Sequence, residues 1–376
     1  MTSGLTLFLT SFLAAVAVAS GALLDLRQAP YSAAGDGKAD DRAPLAAVFS
    51  AAKPGDTVLI PAGDYRIVLG KGRMKMPAGV KLLGERGASR FLLVSDGGEK
   101  EHREFLQPGS GTVLQGVTFV RDGNFPAVLF PLFGELDGVT FRDCGFEGGV
   151  EKFPGSYCHG FQVGNGSLKN LTLDRITMSG FTFGLFQQNQ ATGSVAGVTV
   201  EYSLFERNKA SDLEFNCPKG TMTDVTVRGC IFRDNLSKTG SGGFAVGFAN
   251  VQRGLVEACR IENYGAEALH VEDRSEEIRL AGNTIINGSN LQTNGVILVV
   301  NDSRKVTIER NYVDARPNAN KTHLVLVTAG GKTFKNPSKV LLKDNVLVQG
   351  TKTVKWYLQP GSGPEPEGNL VVPAGG

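Results

Sequence analysis

The sequence predicts an all-β protein wound as a single parallel β-helix, a solenoid in which each coil stacks on the previous one. Three observations support this prediction. A short unit recurs along most of the chain, the units carry strand patterns without a useful amphipathic helix, and 49 of the 376 residues are glycine. That is about 13%, against roughly 7% in average proteins. High glycine with moderate charge is typical of short strands separated by tight turns, so composition and repeat agree.

The repeat is clearest in Val139–Phe146, where an apolar strand leads to a corner residue and an apolar residue follows two positions later. The equivalent corner positions are Val117, Cys144, Ile176, Ser203, Cys230, Cys259, Asn283, Asn311 and Asn345. Their spacings run from 24 to 34 residues and centre near 28. Such a period suits one coil of a parallel β-helix. Leucine-rich repeats need a regular leucine scaffold, which is absent here, and propeller blades need longer units.

Stacked coils place equivalent residues in columns about 4.8 Å apart, the spacing of neighbouring strands. One predicted column is apolar and buried, and consists of Phe119, Phe146, Met178, Phe205, Phe232, Ile261, Ile285, Val313 and Leu347. In a second column we expect Asn283, Asn311 and Asn345 to hydrogen-bond from coil to coil. Cys230 and Cys259 fall on adjacent coils of that column, so the sequence is compatible both with buried free thiols and with a disulfide between them.

The two ends of the solenoid need covers, because an open end exposes unpaired strand edges. Residues Asp41–Lys53 form the one good helical stretch, stopped by Pro54 and Gly55, and are predicted to plug the N-terminal end. The Pro- and Gly-rich segment 351–376 is predicted to be a tail over the C-terminal end or along one face. The expected organisation is therefore cap and first coils in 20–110, repeats in 111–350, and the tail.

The first nineteen residues are predicted to be a secretory signal peptide. The run Leu5–Ala19 is apolar and ends in Ala-Val-Ala, a small-x-small cleavage signature. Fifteen apolar residues are short for a membrane span, so we expect no stable membrane insertion after cleavage. This predicts a secreted protein, extracellular or periplasmic.

Charge and cysteine content narrow the class of partner. Lys and Arg total 39 and Asp and Glu total 37, a net charge of +2, so there is no strong field of either sign. Nucleic acid is therefore not an expected partner. The five cysteines include no Cys-x-x-Cys pair, so neither a zinc ribbon nor a thioredoxin-type site is indicated.

The residues around the predicted helix carry a family resemblance. Gly35-Asp36-Gly37-Lys38-Ala39-Asp40-Asp41 precedes the helix, and Gly55-Asp56-Thr57-Val58-Leu59-Ile60-Pro61-Ala62-Gly63-Asp64-Tyr65-Arg66-Ile67 follows it. This opening resembles that of the pectate-lyase-like right-handed parallel β-helix superfamily. Together with the repeats, the resemblance covers residues 24 to 350 and implies a right-handed coil. The superfamily includes lyases, hydrolases, epimerases and phage tailspikes, so it leaves the activity open. The catalytic motifs of polygalacturonases, pectate lyases and alginate epimerases are absent, and no catalytic residue is carried over.

The candidate site therefore comes from position along three neighbouring strands, aligned as 212–216, 243–247 and 268–272. Side chains alternate across a strand. The predicted outward residues of these strands are Asp212, Glu214 and Asn216, then Gly243, Ala245 and Gly247, then His270 and Glu272. Phe244 is expected to point inward. Glu214, His270 and Glu272 would then stand around a glycine floor as catalytic residues.

Other residues are expected to surround this groove. The predicted substrate-binding residues are Gln162, Gln188, Lys209, Asp212, Asn216 and Arg274. On the coils after Glu272, the alignment predicts an apolar outward face made by Ile297, Val299, Val325 and Val327.

These residue types suit chemistry on a polysaccharide, the expected partner. Hydrolysis would use Glu214 and Glu272 as an acid and base pair. Elimination at a uronate would use His270 as base, with Arg274, Lys209 or a Ca²⁺ ion held by Asp212, Glu214 and Glu272 to neutralise the acid. The resemblance slightly favours the lyase and the carboxylate pair favours the hydrolase. A non-catalytic carbohydrate-binding or adhesion protein is the third reading, weakened by a single Trp.

Overall fold

A computed structural model describes residues 21–238, 243–331 and 333–375. The predicted signal peptide, residues 1–19, lies outside the described residues. Within the described part, no helix is long and apolar enough to cross a membrane.

The chain winds as a parallel β-helix whose coils present three faces, and it confirms the predicted all-β solenoid. The first face, which carries the candidate site, contains strands Arg103–Glu104, Ala127–Asp137, Cys158–Asp174, Phe183–Gln187, Leu213–Asn216, Val246–Ala249, Leu269–Glu272, Ile297–Val299, His323–Val327 and Val354–Leu358. The second face contains strands Leu23–Asp25, Thr57–Ile60, Lys81–Gly84, Val113–Gln115, Thr140–Arg142, Ser194–Glu201, Thr221–Arg228, Val251–Glu257, Glu276–Ala281, Arg304–Glu309 and Leu341–Lys343. The long strands Ala127–Asp137 and Cys158–Asp174 bend from the first face into the second, and so join the two into one sheet.

The third face is a separate sheet of thirteen parallel strands in chain order. These strands are Asp36–Asp40, Gly63–Leu69, Ser89–Ser95, Val117–Arg121, Gly145–Glu147, Thr177–Ser179, Leu204–Glu206, Ile231–Arg233, Arg260–Glu262, Thr284–Ile286, Tyr312–Asp314, Val346–Val348 and Leu370–Val372. Two short strands, Met74–Lys75 and Leu106–Gln107, form a further pair.

The predicted apolar column is confirmed by the strand register of the third face. Each member pairs with the next, from Phe119 with Phe146 through to Val313 with Leu347, and each is at most 1% exposed. The column extends beyond the prediction to Tyr65 and Phe91 at one end and Val371 at the other. Burial of each such side chain stabilises the fold by roughly 1.5–3 kcal/mol, which makes this column a main support of the solenoid.

The corner between the second and third faces has a recurring backbone conformation. The residue before each corner position has a positive φ, between 50° and 73°. These residues are Gly116, Asp143, Arg175, Tyr202, Gly229, Ala258, Gly282, Arg310, Asp344 and Gly368. A single left-handed residue turns the chain from one strand into the next, and glycine adopts that conformation without strain.

The predicted asparagine ladder follows this corner. The amide of Asn283 donates to Asn311 at 3.0 Å, and Asn311 donates to Asn345 at 3.0 Å. Asn345 donates in turn to Asn369 at 2.8 Å, a fourth member that was not predicted. The five cysteines, among them Cys230 and Cys259, are buried free thiols.

The N-terminal end is closed by the helix Arg42–Ala51, within the predicted stretch Asp41–Lys53. Its buried side chains Leu45, Val48 and Phe49 join the core. The preceding acidic residues organise turns. The Asp41 carboxylate accepts from the amides of Ala34 and Gly35 at 2.7 and 3.0 Å, and Asp36 accepts from Lys38 and Ala39 at 2.8 and 2.9 Å.

The C-terminal segment is a further coil, which corrects the prediction of a tail from residue 351. Strand Val354–Leu358 pairs with His323–Val327, and Leu370–Val372 pairs with Val346–Val348. Trp356 and Val371 continue the interior columns and are partly buried against the core. The segment keeps winding because its apolar residues recur at the same positions in the coil, despite its proline and glycine content.

Two strand alignments also differ from the prediction. Leu213 pairs with Val246, so 245–249 lies beside 212–216, where the sequence indicated 243–247. This shift of two residues keeps the same faces outward. On the next coil the shift is one residue. The sequence aligned Leu269 with Val296, whereas the structure pairs Leu269 with Ile297. The extra residue is accommodated because the amides of Ala268 and Leu269 both donate to the Val296 carbonyl.

A slip of one residue exchanges the two faces of a strand. The prediction that Ile297, Val299, Val325 and Val327 face outward is therefore wrong, and all four are fully buried core residues. Leu298, Leu326 and Tyr357 take their place in the outward row.

Candidate active site

Three neighbouring strands of the first face bring the principal predicted residues together. Glu214, Gly247 and His270 share one register position on successive coils, and Asn216, Ala249 and Glu272 share the next outward position. The alternating residues Leu213, Phe215, Val246, Phe248, Leu269 and Val271 are buried. Local alternation thus sets the outward direction of the acidic and imidazole groups, with coil stacking bringing them into one groove.

The groove has a volume of about 420 Å³. Its lining residues are Asn189, Glu214, Phe215, Asn216, Pro218, Lys219, Phe244, Gly247, Phe248, Ala249, His270, Glu272 and Asp273. Gly247 and Ala249 separate the Glu214 strand from the His270 strand. The two glutamates stand on strands two coils apart, roughly 10 Å between backbones.

Glu214 is largely buried in the groove wall. Burial, and then the neighbouring Glu272 charge, raise the pKa of Glu214, against the opposing effects of Ser211 and His270. Loss of water destabilises the ionised carboxylate more than the neutral acid, so Glu214 keeps its proton to higher pH than an exposed glutamate. A carboxylic acid in that state can donate a proton to a substrate oxygen.

His270 lies between two carboxylates. Its Nε2 is 3.3 Å from Glu272 Oε2 and its Nδ1 is 3.6 Å from Glu267 Oε1, with 13% of the side chain exposed. Burial alone would lower the pKa of His270, but the two glutamates reverse that effect and raise it to about 10. The two carboxylates therefore favour the protonated ring, which does not suit the predicted role of His270 as a general base.

Phe244 covers part of the groove, which corrects the prediction that it points into the core. Its ring lies 5.1 Å from the His270 ring, centroid to centroid, and 31° from parallel. A Cβ at position 247 would come within 2.3 Å of the Phe244 ring, so glycine is required there for this approach. The floor is therefore formed by Gly247 and Ala249, while Ala245 is buried.

Asp212 is outside the groove, and the prediction that it faces substrate is wrong. The side chain is fully buried, with Asn208 Nδ2 donating to it at 2.5 Å and the Tyr264 hydroxyl donating to its other oxygen. Burial raises the pKa of Asp212 to about 7, with both hydrogen bonds acting in the opposite direction. The residue stands just before its strand begins, where the alternation of side chains does not apply.

The predicted calcium ligands are not assembled. Asp212 is committed to Asn208 and Tyr264, which leaves Glu214 and Glu272 without a third predicted ligand. Among residues 21–238, 243–331 and 333–375, no group of three or more His, Cys, Asp or Glu side chains could hold a metal ion. The residues present therefore do not fit the Ca²⁺ site.

The remaining predicted residues are divided among neighbouring surfaces. Asn216 lines the groove, while Gln162 and Gln188 line an adjacent cleft of about 310 Å³. Lys209 lines a separate cleft with Val150 and Leu236, so its predicted place beside the groove is wrong. Arg274 lies at the rim, where its guanidinium donates to the Pro218 carbonyl at 3.1 Å.

Several residues that shape the groove were not predicted. Glu267 is 3% exposed and holds His270 from the corner before the strand, and Asn189, Lys219 and Asp273 come from loops at the other strand ends. Strand alternation carries no information about such corners. The ring of Phe186, in contrast, follows from alternation, because it is the outward residue one coil before Glu214.

Comparisons with known proteins bear on the fold that carries this groove. Residues 159–340 match the family described as right handed beta helix region. The mannuronan C5-epimerase AlgE4 of Azotobacter vinelandii is 27% identical over 209 residues, covering 50% of this chain and 34% of that protein. The chain spans about a third or less of the length of the curated relatives it matches.

Solved structures show the same fold at low sequence identity. The A-module of AlgE4 from A. vinelandii superimposes with a TM-score of 0.50 and 14% identity, over 92% of this chain and 99% of that one. PfbA, a surface adhesin of Streptococcus pneumoniae, has a TM-score of 0.53 and 13% identity, over 94% and 92%. Together with the coil register, these matches confirm the predicted resemblance at the level of the fold, a right-handed parallel β-helix.

Proposed function

We propose that the protein is a secreted polysaccharide-active enzyme that hydrolyses glycosidic bonds in its groove. The observation that carries the proposal is the unequal pair of carboxyl groups facing each other across Gly247 and Ala249. Burial raises the pKa of Glu214, whereas Glu272 lies 3.3 Å from the His270 ring. Pairs of carboxyl groups in different environments are the usual means of glycosidic hydrolysis.

In the proposed reaction, Glu214 donates its proton to the glycosidic oxygen while the bond from that oxygen to the anomeric carbon breaks. A water molecule attacks the same carbon, and Glu272 accepts its proton. The two-coil separation leaves room for water, as in inverting glycosidases. His270, held by Glu267 and Glu272, orients the base and stabilises its charge.

Charge in the groove favours a neutral substrate over a polyuronate. The carboxylates of Glu267 and Glu272 offset the charge of His270, and Asp273 lines the groove, whereas Lys219 is the one lining Lys or Arg among the described residues. Elimination needs a positive group to neutralise the uronate carboxylate and a free base. His270 already serves two carboxylates, so we now favour hydrolysis over the lyase that the sequence slightly favoured.

A second candidate is proton abstraction beside a uronate carboxylate, as in elimination or C5-epimerisation. The similarity to mannuronan C5-epimerases over half of the chain supports it. In that reaction the His270 cation would face the substrate carboxylate. The products distinguish the candidates, because elimination leaves an unsaturated uronate that absorbs ultraviolet light, epimerisation leaves chain length unchanged, and hydrolysis creates a reducing end.

The test is a screen of purified protein on starch, β-glucan, xylan, galactomannan, alginate and polygalacturonate, with reducing ends and ultraviolet absorbance both recorded. We expect new reducing ends without absorbance from a neutral polymer. Glu214→Gln should lower kcat on the order of 10²- to 10⁴-fold, the usual contribution of a general acid. Because the Glu214 pKa is raised, wild-type kcat should fall as pH rises through that pKa.

Glu135→Gln, an exposed carboxylate on the strand Ala127–Asp137, is the matched control and should retain wild-type activity. Full activity in Glu214→Gln, or products that absorb ultraviolet light, would contradict the proposal. Retention on a polysaccharide without any product from the wild type would favour the binding or adhesion reading instead.

A further inference from the structure

We infer that the cleft beside the groove is an uncharged sugar-binding subsite, and that the polysaccharide runs from the groove toward the N-terminal coils. This deepens the proposed function and rests on it for the location of bond cleavage. The cleft itself is recognised by its own residues and shape.

The cleft contains the chemistry that binds a neutral sugar. It is lined by Phe133, Gln162, Gly164, Asn165, Gln188, Gln190 and Ala191. Side-chain amides both donate to and accept from hydroxyl groups, and an aromatic ring offers a flat apolar surface to a sugar ring. Among the described residues its lining includes no charged side chain, in contrast to the groove, which His270, Glu272 and Asp273 line.

The aromatic surface is held in place before any ligand arrives. Phe133 lies against Gly164, where a Cβ would approach its ring to 2.4 Å. The Arg73 guanidinium lies 5.2 Å from the ring centroid. Arg73 is itself fixed by Glu104 and Gln107, both at 2.7 Å, and Gln107 donates to the Phe133 carbonyl at 2.8 Å. A ring that is already ordered loses little entropy on binding.

The cleft and groove form one continuous surface. Gln162 pairs in register with Phe186, which precedes Glu214 by one coil, so the two sites are two coils or about 10 Å apart. Asn189 lines the groove and accepts a hydrogen bond from Asn216, while its neighbours Gln188 and Gln190 line the cleft. The segment 188–190 is therefore a wall that the two sites share.

The opposite direction along the solenoid lacks this chemistry. After His270, the outward row continues with Leu298, Leu326 and Tyr357. This row offers hydrogen bonds only at Tyr357, whereas the row before Glu214 leads to Gln162. A cleft does adjoin the groove on that side, but four of its lining residues are charged: Asp273, Arg274, Asp302 and Lys335. Uncharged polar recognition of a sugar chain is thus concentrated on the N-terminal side.

The absence of charge in the cleft also indicates the class of sugar. The Arg73 guanidinium, which lies over the Phe133 ring, is paired with Glu104. A uronate in the cleft would leave its carboxylate without a cation, whereas hydroxyl groups would find three glutamines. The subsite therefore fits neutral hexoses or pentoses.

Native affinity electrophoresis tests the subsite independently of catalysis. Gels would contain starch, β-glucan, xylan, galactomannan or alginate. The proteins are wild type, Phe133→Ala, Gln188→Ala, Glu214→Gln and the control Gln28→Ala, an exposed amide outside both sites. We expect one neutral polymer to retard wild type, Glu214→Gln and Gln28→Ala, with dissociation constants raised about five- to tenfold in both cleft variants.

A kinetic measurement on the same polymer separates the subsite from the catalytic proposal. Cleft variants should raise KM for long chains while leaving kcat for short oligosaccharides unchanged. Equal retardation of cleft variants and wild type, or retardation by alginate alone, would overturn the subsite. Cleft-dependent retardation without any cleavage would refute the hydrolase while leaving the subsite intact, so the two failures are distinguishable. Circular dichroism of each variant verifies folding.

Discussion

The ionisation of individual residues in and behind the groove is set by burial and by close neighbours in the folded chain. Glu267 and Glu272 approach His270 and raise its pKa to about 10, and burial in the groove wall raises the pKa of Glu214. Asp212, two residues from Glu214, is buried with Asn208 and Tyr264. All three groups therefore have a higher pKa in the folded protein than in an unfolded chain.

Asp212→Asn should therefore flatten the pH dependence of stability. The folded-state pKa of about 7 lies above the ordinary aspartate value of 3.8, so between these values the folded chain retains a proton that the unfolded chain releases. Stability contributed by this proton is fully present below pH 3.8 and is lost as pH rises toward 7. The wild-type slope should contain up to about 1.4 kcal/mol per pH unit from this group.

Urea unfolding at pH 4.5, 5.5 and 6.5 measures the slope. Asn keeps an oxygen for the Tyr264 hydroxyl but cannot titrate, so its curve should lack this contribution. Parallel curves for variant and wild type would show that Asp212 does not titrate in this range. Asp137→Asn, at an exposed position, serves as the control.

At the scale of elements, corners and ladders hold the coils in register. The left-handed corner residue turns each second-face strand into the third face, and the asparagine ladder then links four successive coils. On the second face, charges alternate along a row of ion pairs: Arg228 contacts Glu257 at 3.2 Å, Glu257 contacts Arg279 at 3.2 Å, and Arg279 contacts Glu309 at 2.7 Å. The buried ladder should matter more, because exposed ion pairs contribute little in water.

Replacing Asn311 by Ala should lower the free energy of unfolding by about 2–4 kcal/mol. Asn311 accepts from the backbone and side chain of Asn283, and donates to Leu280 and Asn345, so its loss leaves several buried groups without partners. Asn369→Ala, at the less buried end of the ladder, should cost roughly 1 kcal/mol. Guanidinium unfolding compares them, and equal losses would contradict the dependence on ladder position.

Across the whole molecule, the solenoid depends on protection of its ends. A parallel β-helix has one continuous core, and each terminal coil offers unpaired strand edges. The helix Arg42–Ala51 covers the first coils with Leu45, Val48 and Phe49. At the other end, Trp356, Leu358 and Val371 extend the core into the last described coil.

Val48→Asp should disturb the N-terminal cover and promote association. An unpaired charge in the core would displace the helix and expose the edge of the first coil. Ala47→Asp places the same charge on the exposed side of the helix and should behave as wild type. Size-exclusion chromatography with light scattering provides the masses. A Val48→Asp protein with the wild-type mass and thermal stability would show that the helix is not a necessary cover.

Much of the fold could be predicted because its signals are local and periodic. The spacing between Phe119, Phe146 and their equivalents gives the length of each coil, and alternation within a strand directs Glu214 and His270 outward. The errors arose where the chain leaves a strand. Loop lengths vary between coils, so the residue at which the next strand begins to pair depends on tertiary contacts such as those of the Val296 carbonyl. A shift of one residue there reversed the predicted faces of Ile297 and Val299.

The sequence by itself determined the solenoid, its apolar column, its asparagine ladder and the strands that carry Glu214, His270 and Glu272, because these follow from a period and an alternation. Only the tertiary structure decided that Asp212 is buried, that Phe244 covers the groove and that two glutamates approach the His270 ring. The physical reason is that burial and charge depend on the distances between side chains after folding, and no local sequence pattern contains those distances.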